Sequence, residues 1–91
     1  MIVTKPRSAK VEAIEMRERR YGYFPRTFMW RGHEYNVEAV EKAETTFAGA
    51  KLNRHYFQVR CAEGVFVVFQ DLKANTWHIE VRKGMEHDMS A

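Results

Sequence analysis

Residues 28–37 constrain the fold more than any other part of this chain, because they have the pattern of a β-hairpin. Two aromatic runs flank Arg31 and Gly32, and glycine adopts the positive φ of a tight hairpin turn at little steric cost. Alternation places four large side chains on one face of the two strands: Phe28, Trp30, Tyr35 and Val37. We therefore expect Trp30, like Trp77 later in the chain, to lie in the core and not to stack on a ligand.

Residues 54–83 have the pattern of a three-stranded antiparallel meander. The middle strand, residues 65–69, is β-branched or aromatic at every position, which is typical of a strand covered on both faces. Tight connections are expected at Glu63-Gly64 and over residues 71–76. The inward positions predicted for the first and third strands are Phe57, Val59, Cys61, Trp77, Ile79 and Val81.

Two segments of the first half leave helix and strand open as alternatives. Residues 10–20 are rich in residues of high helix propensity, but Tyr21-Gly22 would end a helix immediately afterwards. Residues 37–47 fit both periodicities, and a strand with a bulge near Val40 reconciles them, because one extra residue reverses the side chains that face inward. We prefer the strand for residues 37–47, whereas composition alone leaves residues 10–20 open.

Together these patterns predict an all-β fold, a single small antiparallel, partly open barrel or roll of SH3-like type with about six strands. A length of 91 residues with 45% hydrophobic residues supports one modest core. We expect this β domain to span residues 10–84, after a flexible N-terminal segment at residues 1–9 and before a disordered C-terminal tail at residues 85–91.

Catalytic and metal-binding patterns are missing from the sequence. The four histidines and the single cysteine lack the spacing of a zinc site, so neither a metal nor a cofactor is expected. Cys61 falls on an inward strand face, where thiols are usually inert. No apolar run approaches the length of a membrane span and no secretory signal precedes the domain, so we expect a cytoplasmic protein without a membrane partner. An enzyme is the least favoured interpretation.

The order of the hairpin and later strand residues resembles a family of small bacterial all-β domains of unassigned activity. In that family a Phe-x-Trp-Arg-Gly-x-x-Tyr-x-Val hairpin is followed by a Tyr-Tyr-x-Val strand, a strand that ends in Asp and a strand opened by Trp. The matching residues here are Phe28, Trp30, Arg31, Gly32, Tyr35, Val37, Tyr56, Phe57, Val59, Asp71 and Trp77. Such domains occur beside or within relatives of Y-family translesion polymerases, so the resemblance implies a setting in DNA damage tolerance, and it favours a strand at residues 11–17. Together with the missing catalytic patterns, this predicts a non-enzymatic accessory or binding module.

Residues 17–26 interleave basic and aromatic side chains in what we expect to be an exposed loop. Arginines that bind phosphates, together with aromatic rings that stack on bases, are the combination by which proteins hold single-stranded DNA or RNA. The predicted nucleic-acid-binding residues are Arg17, Arg19, Arg20, Tyr21, Tyr23 and Arg26.

A protein-protein interaction or homodimerisation module is the alternative hypothesis. The strand at residues 65–69 presents apolar side chains on both faces, and a domain of this size has little material to cover the outer one. An uncovered apolar patch commonly marks an interface. The predicted interface residues are Val65, Val67 and Phe69.

Overall fold

A computed structural model of the protein describes residues 10–81, which form six strands and no helix. The strands are β1 (Lys10–Arg20), β2 (Phe24–Trp30), β3 (His33–Ala48), β4 (Lys51–Cys61), β5 (Gly64–Asp71) and β6 (Thr76–Val81). This part of the chain therefore has no helix of a length and apolarity that would cross a membrane. The expectations for residues 1–9 and 82–91 lie outside the described residues.

Each strand pairs antiparallel with the next one, and β1 also pairs with β6, so the sheet closes into a barrel. The first half of β1 pairs with β6, from Lys10 opposite Val81 to Ile14 opposite Trp77. From Glu15 onward β1 pairs with β2 instead. The predicted small antiparallel barrel of six strands is confirmed. It was expected to be partly open, but the sheet is closed because β1 pairs with both β2 and β6.

Both ambiguous segments are strands. β1 pairs along most of its length with β6 or β2, and these ladders outweigh its helix propensity. In β3 the pairing with β4 shifts register between Val37 and Ala39 and again between Val40 and Lys42. The bulge predicted near Val40 is therefore present, and bulges of this kind bend a strand.

The barrel interior is filled by large apolar side chains from five of the six strands. The buried residues of this cluster are Phe28, Trp30, Tyr35, Phe57, Val59, Cys61, Phe66, Val68, Trp77, Ile79 and Val81. Phe28 stacks on Tyr35 with ring centroids 5.3 Å apart, and Phe57 stacks on Trp77 at 5.9 Å. The predicted core positions of both tryptophans are confirmed.

The turn between β2 and β3 consists of two residues, Arg31 and Gly32, both with positive φ, at 52° and 76°. Two positive φ values are the geometry of a type I′ hairpin turn, and the predicted tight turn with positive φ at Gly32 is confirmed. The same turn holds β1 in place. Trp30 Nε1 donates a hydrogen bond to Glu12 Oε1 at 2.8 Å, and Arg31 donates to both oxygens of that carboxylate at 3.0 and 2.6 Å.

Hydrogen bonds from Arg31 and then from Trp30 lower the pKa of Glu12 to about 2, from an ordinary value of 4.5. The guanidinium carbon of Arg31 also lies 4.8 Å from the centre of the Trp30 ring. Trp30 and Arg31 of the Trp-Arg-Gly motif therefore link the β2–β3 turn to β1. We call their three hydrogen bonds to Glu12 the clamp.

Candidate nucleic-acid interface

The turns of the barrel are divided between its two ends, because every strand runs antiparallel to its neighbours. The β1–β2, β3–β4 and β5–β6 turns share one end, which we call the basic end. The β2–β3 and β4–β5 turns share the other, which we call the acidic end. Residues far apart in sequence are thus gathered at each end.

Charge is distributed unevenly along the barrel axis. Each charged residue is assigned to the end of the barrel that is nearer along its strand. The basic end then has eight Lys or Arg residues and five Asp or Glu residues, and the acidic end has three Lys or Arg residues and five Asp or Glu residues. The cations of the basic end are Arg17, Arg19, Arg20, Arg26, Lys42, Lys51, Arg54 and Lys73. The whole chain has a net charge of +3 and residues 10–81 have a net charge of +1, so within the barrel the positive charge is concentrated at one end.

Residues 17–26, which we call the basic hairpin, form the end of β1, a turn and the start of β2. The expectation of an irregular loop was wrong, because β1 and β2 remain paired as far as Arg20 opposite Phe24. Tyr21 and Gly22 have φ values of 58° and 66°, and Arg20 O accepts a hydrogen bond from Tyr23 N at 3.0 Å. The ring of Tyr21 is held at the tip of this turn and is 86% exposed.

The arginines of the basic hairpin differ in their partners. Arg17 lies 3.9 Å from Glu15 and Arg26 lies 3.9 Å from Glu18, both exposed contacts that contribute little to stability. Within residues 10–81 neither Arg19 nor Arg20 has an ion-pair partner. Their guanidinium groups can therefore bind phosphate without first breaking a salt bridge.

Tyr23 has a different role from the one the sequence predicted. Its ring meets Phe24, His55 and Phe57 edge to face, with centroid distances of 4.7, 5.1 and 5.2 Å. These contacts close the core below the turn of the basic hairpin. The structure thus brings Arg19, Arg20 and Tyr21 together at the surface and places Tyr23 against the core.

The basic hairpin lies between two grooves. On one side β2 and β3 separate around a groove of about 400 Å³, the β2–β3 groove, whose lining includes Arg20, Tyr21 and Arg26. On the other side β1 leaves β6, and the β1–β6 groove of about 440 Å³ is lined by Arg19 and His78, among others. Arg20 therefore lies beside the β2–β3 groove, and Arg19 lies beside the β1–β6 groove.

An exposed apolar pair that was not predicted from the sequence lies at the same end. Phe47 and Leu52 are cross-strand partners beside the β3–β4 turn, and they are 60% and 52% exposed. Two large apolar residues flanking Ala48-Gly49-Ala50 were the available signal. Alternation along β3 places Phe47 on the same face as Thr45, whose partner His55 contacts Tyr23. An exposed ring thus lies on each of two hairpins at the basic end.

The predicted protein interface on β5 is smaller than expected. Val65 is 49% exposed and Val67 is half-buried, but Phe69 is only 3% exposed. Although Phe69 lies on the outer face of β5, it is covered by Arg54 and the rings of Tyr56 and His78, at 4.7, 4.9 and 5.0 Å. Phe69 therefore contributes no exposed apolar surface to a partner.

Cys61 is a free cysteine that lies buried in the barrel interior. Burial raises the pKa of the Cys61 thiol to about 11, so it remains protonated at neutral pH. Among residues 10–81 no group of three or more His, Cys, Asp or Glu side chains is arranged to hold a metal ion.

Comparisons with known proteins give no match. No family model, no curated protein and no solved structure is similar to this chain. The candidate interface therefore depends on geometry and charge alone.

Proposed function

We propose that this protein is a non-enzymatic binding module that holds single-stranded nucleic acid at its basic end. The observation that carries the proposal is the pair Arg19 and Arg20, which have no ion-pair partner within residues 10–81, next to the exposed Tyr21 in a hydrogen-bonded turn. Arginine binds phosphate oxygens through several donors of a planar group, and a tyrosine face accepts any unstacked base.

A single strand suits this arrangement better than a duplex does. The ring of Tyr21 has to contact the face of a base, and duplex bases are covered by their neighbours in the stack. Phe47, on the β3–β4 hairpin, is a second exposed ring at the same end of the barrel. Because stacking and phosphate contacts read no base edge, we expect little sequence preference.

The cellular setting that we propose is DNA damage tolerance in the cytoplasm of a bacterium. The resemblance of the Trp-Arg-Gly hairpin to domains near Y-family polymerases supports the first part, and the single cysteine supports the second. Binding to single-stranded DNA would be appropriate to that setting, where replication exposes unpaired template.

The direct test is fluorescence anisotropy with a labelled single-stranded oligonucleotide of mixed sequence at several salt concentrations. Replacing both Arg19 and Arg20 with Gln removes two phosphate contacts, so the slope of log K against log salt should fall by about 1.4. The matched control, Lys10→Gln with Arg60→Gln, removes the same charge from the acidic end. Equal slopes in both double variants, or no salt-dependent binding by the native protein, would contradict the proposal.

Stacking is tested separately with Tyr21→Ala and Tyr21→Leu. Loss of one stacked base costs about 1 to 3 kcal/mol, so Tyr21→Ala should weaken binding at least fivefold. Leucine restores apolar bulk without an aromatic face and should restore little of the affinity. If Tyr21→Leu binds as tightly as the native protein, the ring does not stack on a base.

A second candidate function, self-association, is favoured by the exposed Val65 beside Val67 on β5. A second copy that covers this surface would give a dimer, which Val65→Lys should dissociate. Light scattering after size exclusion measures the mass directly. A monomeric native protein at high concentration would count against this candidate and would leave the nucleic-acid proposal intact.

A further inference from the structure

The β2-facing edge of β3 is largely unpaired. β3 has β4 as its neighbour along most of its length, but on the other side it pairs with β2 only over His33–Asn36. From Val37 onward this edge has no strand partner within residues 10–81. The bulges around Ala39 and Val40 begin where the pairing with β2 ends, and bulges of this kind bend a strand.

The opposite wall of the resulting β2–β3 groove is also a strand edge. Phe24 and Pro25 pair with β1 on one side, and their other side faces the groove. Pro25 has no backbone N–H, so the β2 edge exposes one hydrogen-bond donor fewer to the groove. Most backbone hydrogen-bonding groups exposed in the groove therefore belong to β3.

The groove is apolar between these edges and positively charged at its rim. Phe24, Pro25, Val37, Ala39, Val40 and Ala43 contribute apolar lining. The charged lining residues are Arg20, Arg26, Lys42, Glu38 and Glu41. Glu41 is already engaged, because its carboxylate accepts hydrogen bonds from Gln58 at 3.1 Å and Arg60 at 2.9 Å on β4. Arg26 in turn lies 3.9 Å from Glu18, so the excess of positive charge at the rim comes from Arg20 and Lys42 against Glu38.

We propose that the β2–β3 groove binds an extended peptide segment of a partner protein, which adds to β3 as an extra strand and carries acidic residues among apolar ones. This goes beyond nucleic-acid binding and does not depend on it. A strand edge presents N–H and C=O groups in alternation, and only another extended polypeptide satisfies both kinds in register. Alternate side chains of the segment would face the apolar wall, and the others would meet Arg26 and Lys42.

The dimensions agree with this occupant. The edge from Val37 to Ala43 contains seven residues, but its two bulges set it alongside only five residues of β4, so it spans about 14 Å. A volume of about 400 Å³ is at the lower end of the range for ligand pockets. The groove therefore fits a short segment, and the affinity must come mainly from main-chain hydrogen bonds.

The test uses a phage-displayed library of random heptapeptides selected against the whole protein. Selected sequences should be rich in acidic and β-branched residues. Synthetic copies are then N-methylated at one or the other set of alternate residues. Methylation of the set whose N–H groups face β3 should weaken binding at least tenfold, and methylation of the other set serves as the matched control.

Two protein variants and an NMR titration that locates the binding site complete the experiment. Ala43→Glu places bulk and negative charge in the groove and should weaken peptide binding at least fivefold, whereas Ala62→Glu makes the same change in the exposed β4–β5 turn and should have no effect. Titration of the peptide should shift the backbone amide NMR signals of residues 37–43. The proposal is overturned if no peptide is selected, if both methylated sets bind alike, or if Ala43→Glu binds as the native protein does. None of these assays contains nucleic acid, so their failure is distinct from failure of the proposed function.

Discussion

Glu12→Gln is expected to destabilise the protein at neutral pH and to have little effect near pH 2. The native carboxylate accepts three hydrogen bonds from Trp30 and Arg31, which hold its pKa at about 2. A fall from 4.5 to about 2 corresponds to about 3 kcal/mol of linked stability. Because the side chain is 29% exposed, solvent screening reduces this to about 1 to 2 kcal/mol.

The sign of the pH dependence follows from the lowered pKa. Above about pH 4.5 Glu12 is ionised in both folded and unfolded chains, and the full stabilisation is present. As the pH falls towards 2, the unfolded chain binds a proton that the folded chain resists, so the stabilisation is lost. The difference in free energy of unfolding between the native protein and Glu12→Gln should therefore shrink between pH 4.5 and pH 2.

Urea unfolding followed by tryptophan fluorescence measures this difference at pH 7, 5 and 3. Glu15→Gln is the matched control on the same strand, because Glu15 is 69% exposed and lies 3.9 Å from Arg17. Its effect should stay below about 0.5 kcal/mol at every pH. If Glu12→Gln costs no more than Glu15→Gln at pH 7, or if its cost is the same at pH 3 and pH 7, the clamp does not stabilise the barrel.

Three further outcomes are expected. Phe57→Ala should cost about 3 to 5 kcal/mol in urea unfolding because it leaves a cavity beside Trp77, whereas the exposed Leu52→Ala should cost under about 1 kcal/mol; similar costs would contradict the assigned core. Gly32→Ala should cost about 1 to 2 kcal/mol through its φ of 76° alone, since no atom lies within 4 Å of the added Cβ, and an unchanged melting temperature would refute this. Cys61 should react with a disulfide reagent at pH 8 only after unfolding, so rapid labelling of the native protein would show that the thiol is accessible.

Local alternation was sufficient to predict the barrel and much of its core. Phe28, Trp30, Phe57 and Trp77 follow the two-residue period of strands, and Gly32 marks a turn whose type depends on backbone sterics alone. The strand at residues 10–20 could not be read from its own composition. It depends on pairing with β2 and β6, which are separated from it in sequence.

Long-range contacts also explain what the sequence analysis missed. Glu12 looked like one carboxylate among several until β1 placed it next to Trp30 and Arg31, 18 and 19 residues later. Phe69 looked exposed because it is on the outer face, yet Arg54 from β4 covers it. The basic end is assembled from three separate turns, so residues 17–26 revealed only four of its eight cations.

The pairing of β1 with β6 determines where a fused domain or linker would be attached to the barrel. Lys10 is directly opposite Val81, so the chain enters and leaves the barrel within about 5 Å, at the acidic end. Any segment attached at either point would begin there, and the basic hairpin would face away from it. A circular permutant that joins residue 81 to residue 10 by a short linker and opens the chain between Ala62 and Glu63 should therefore keep both the fold and the candidate interface.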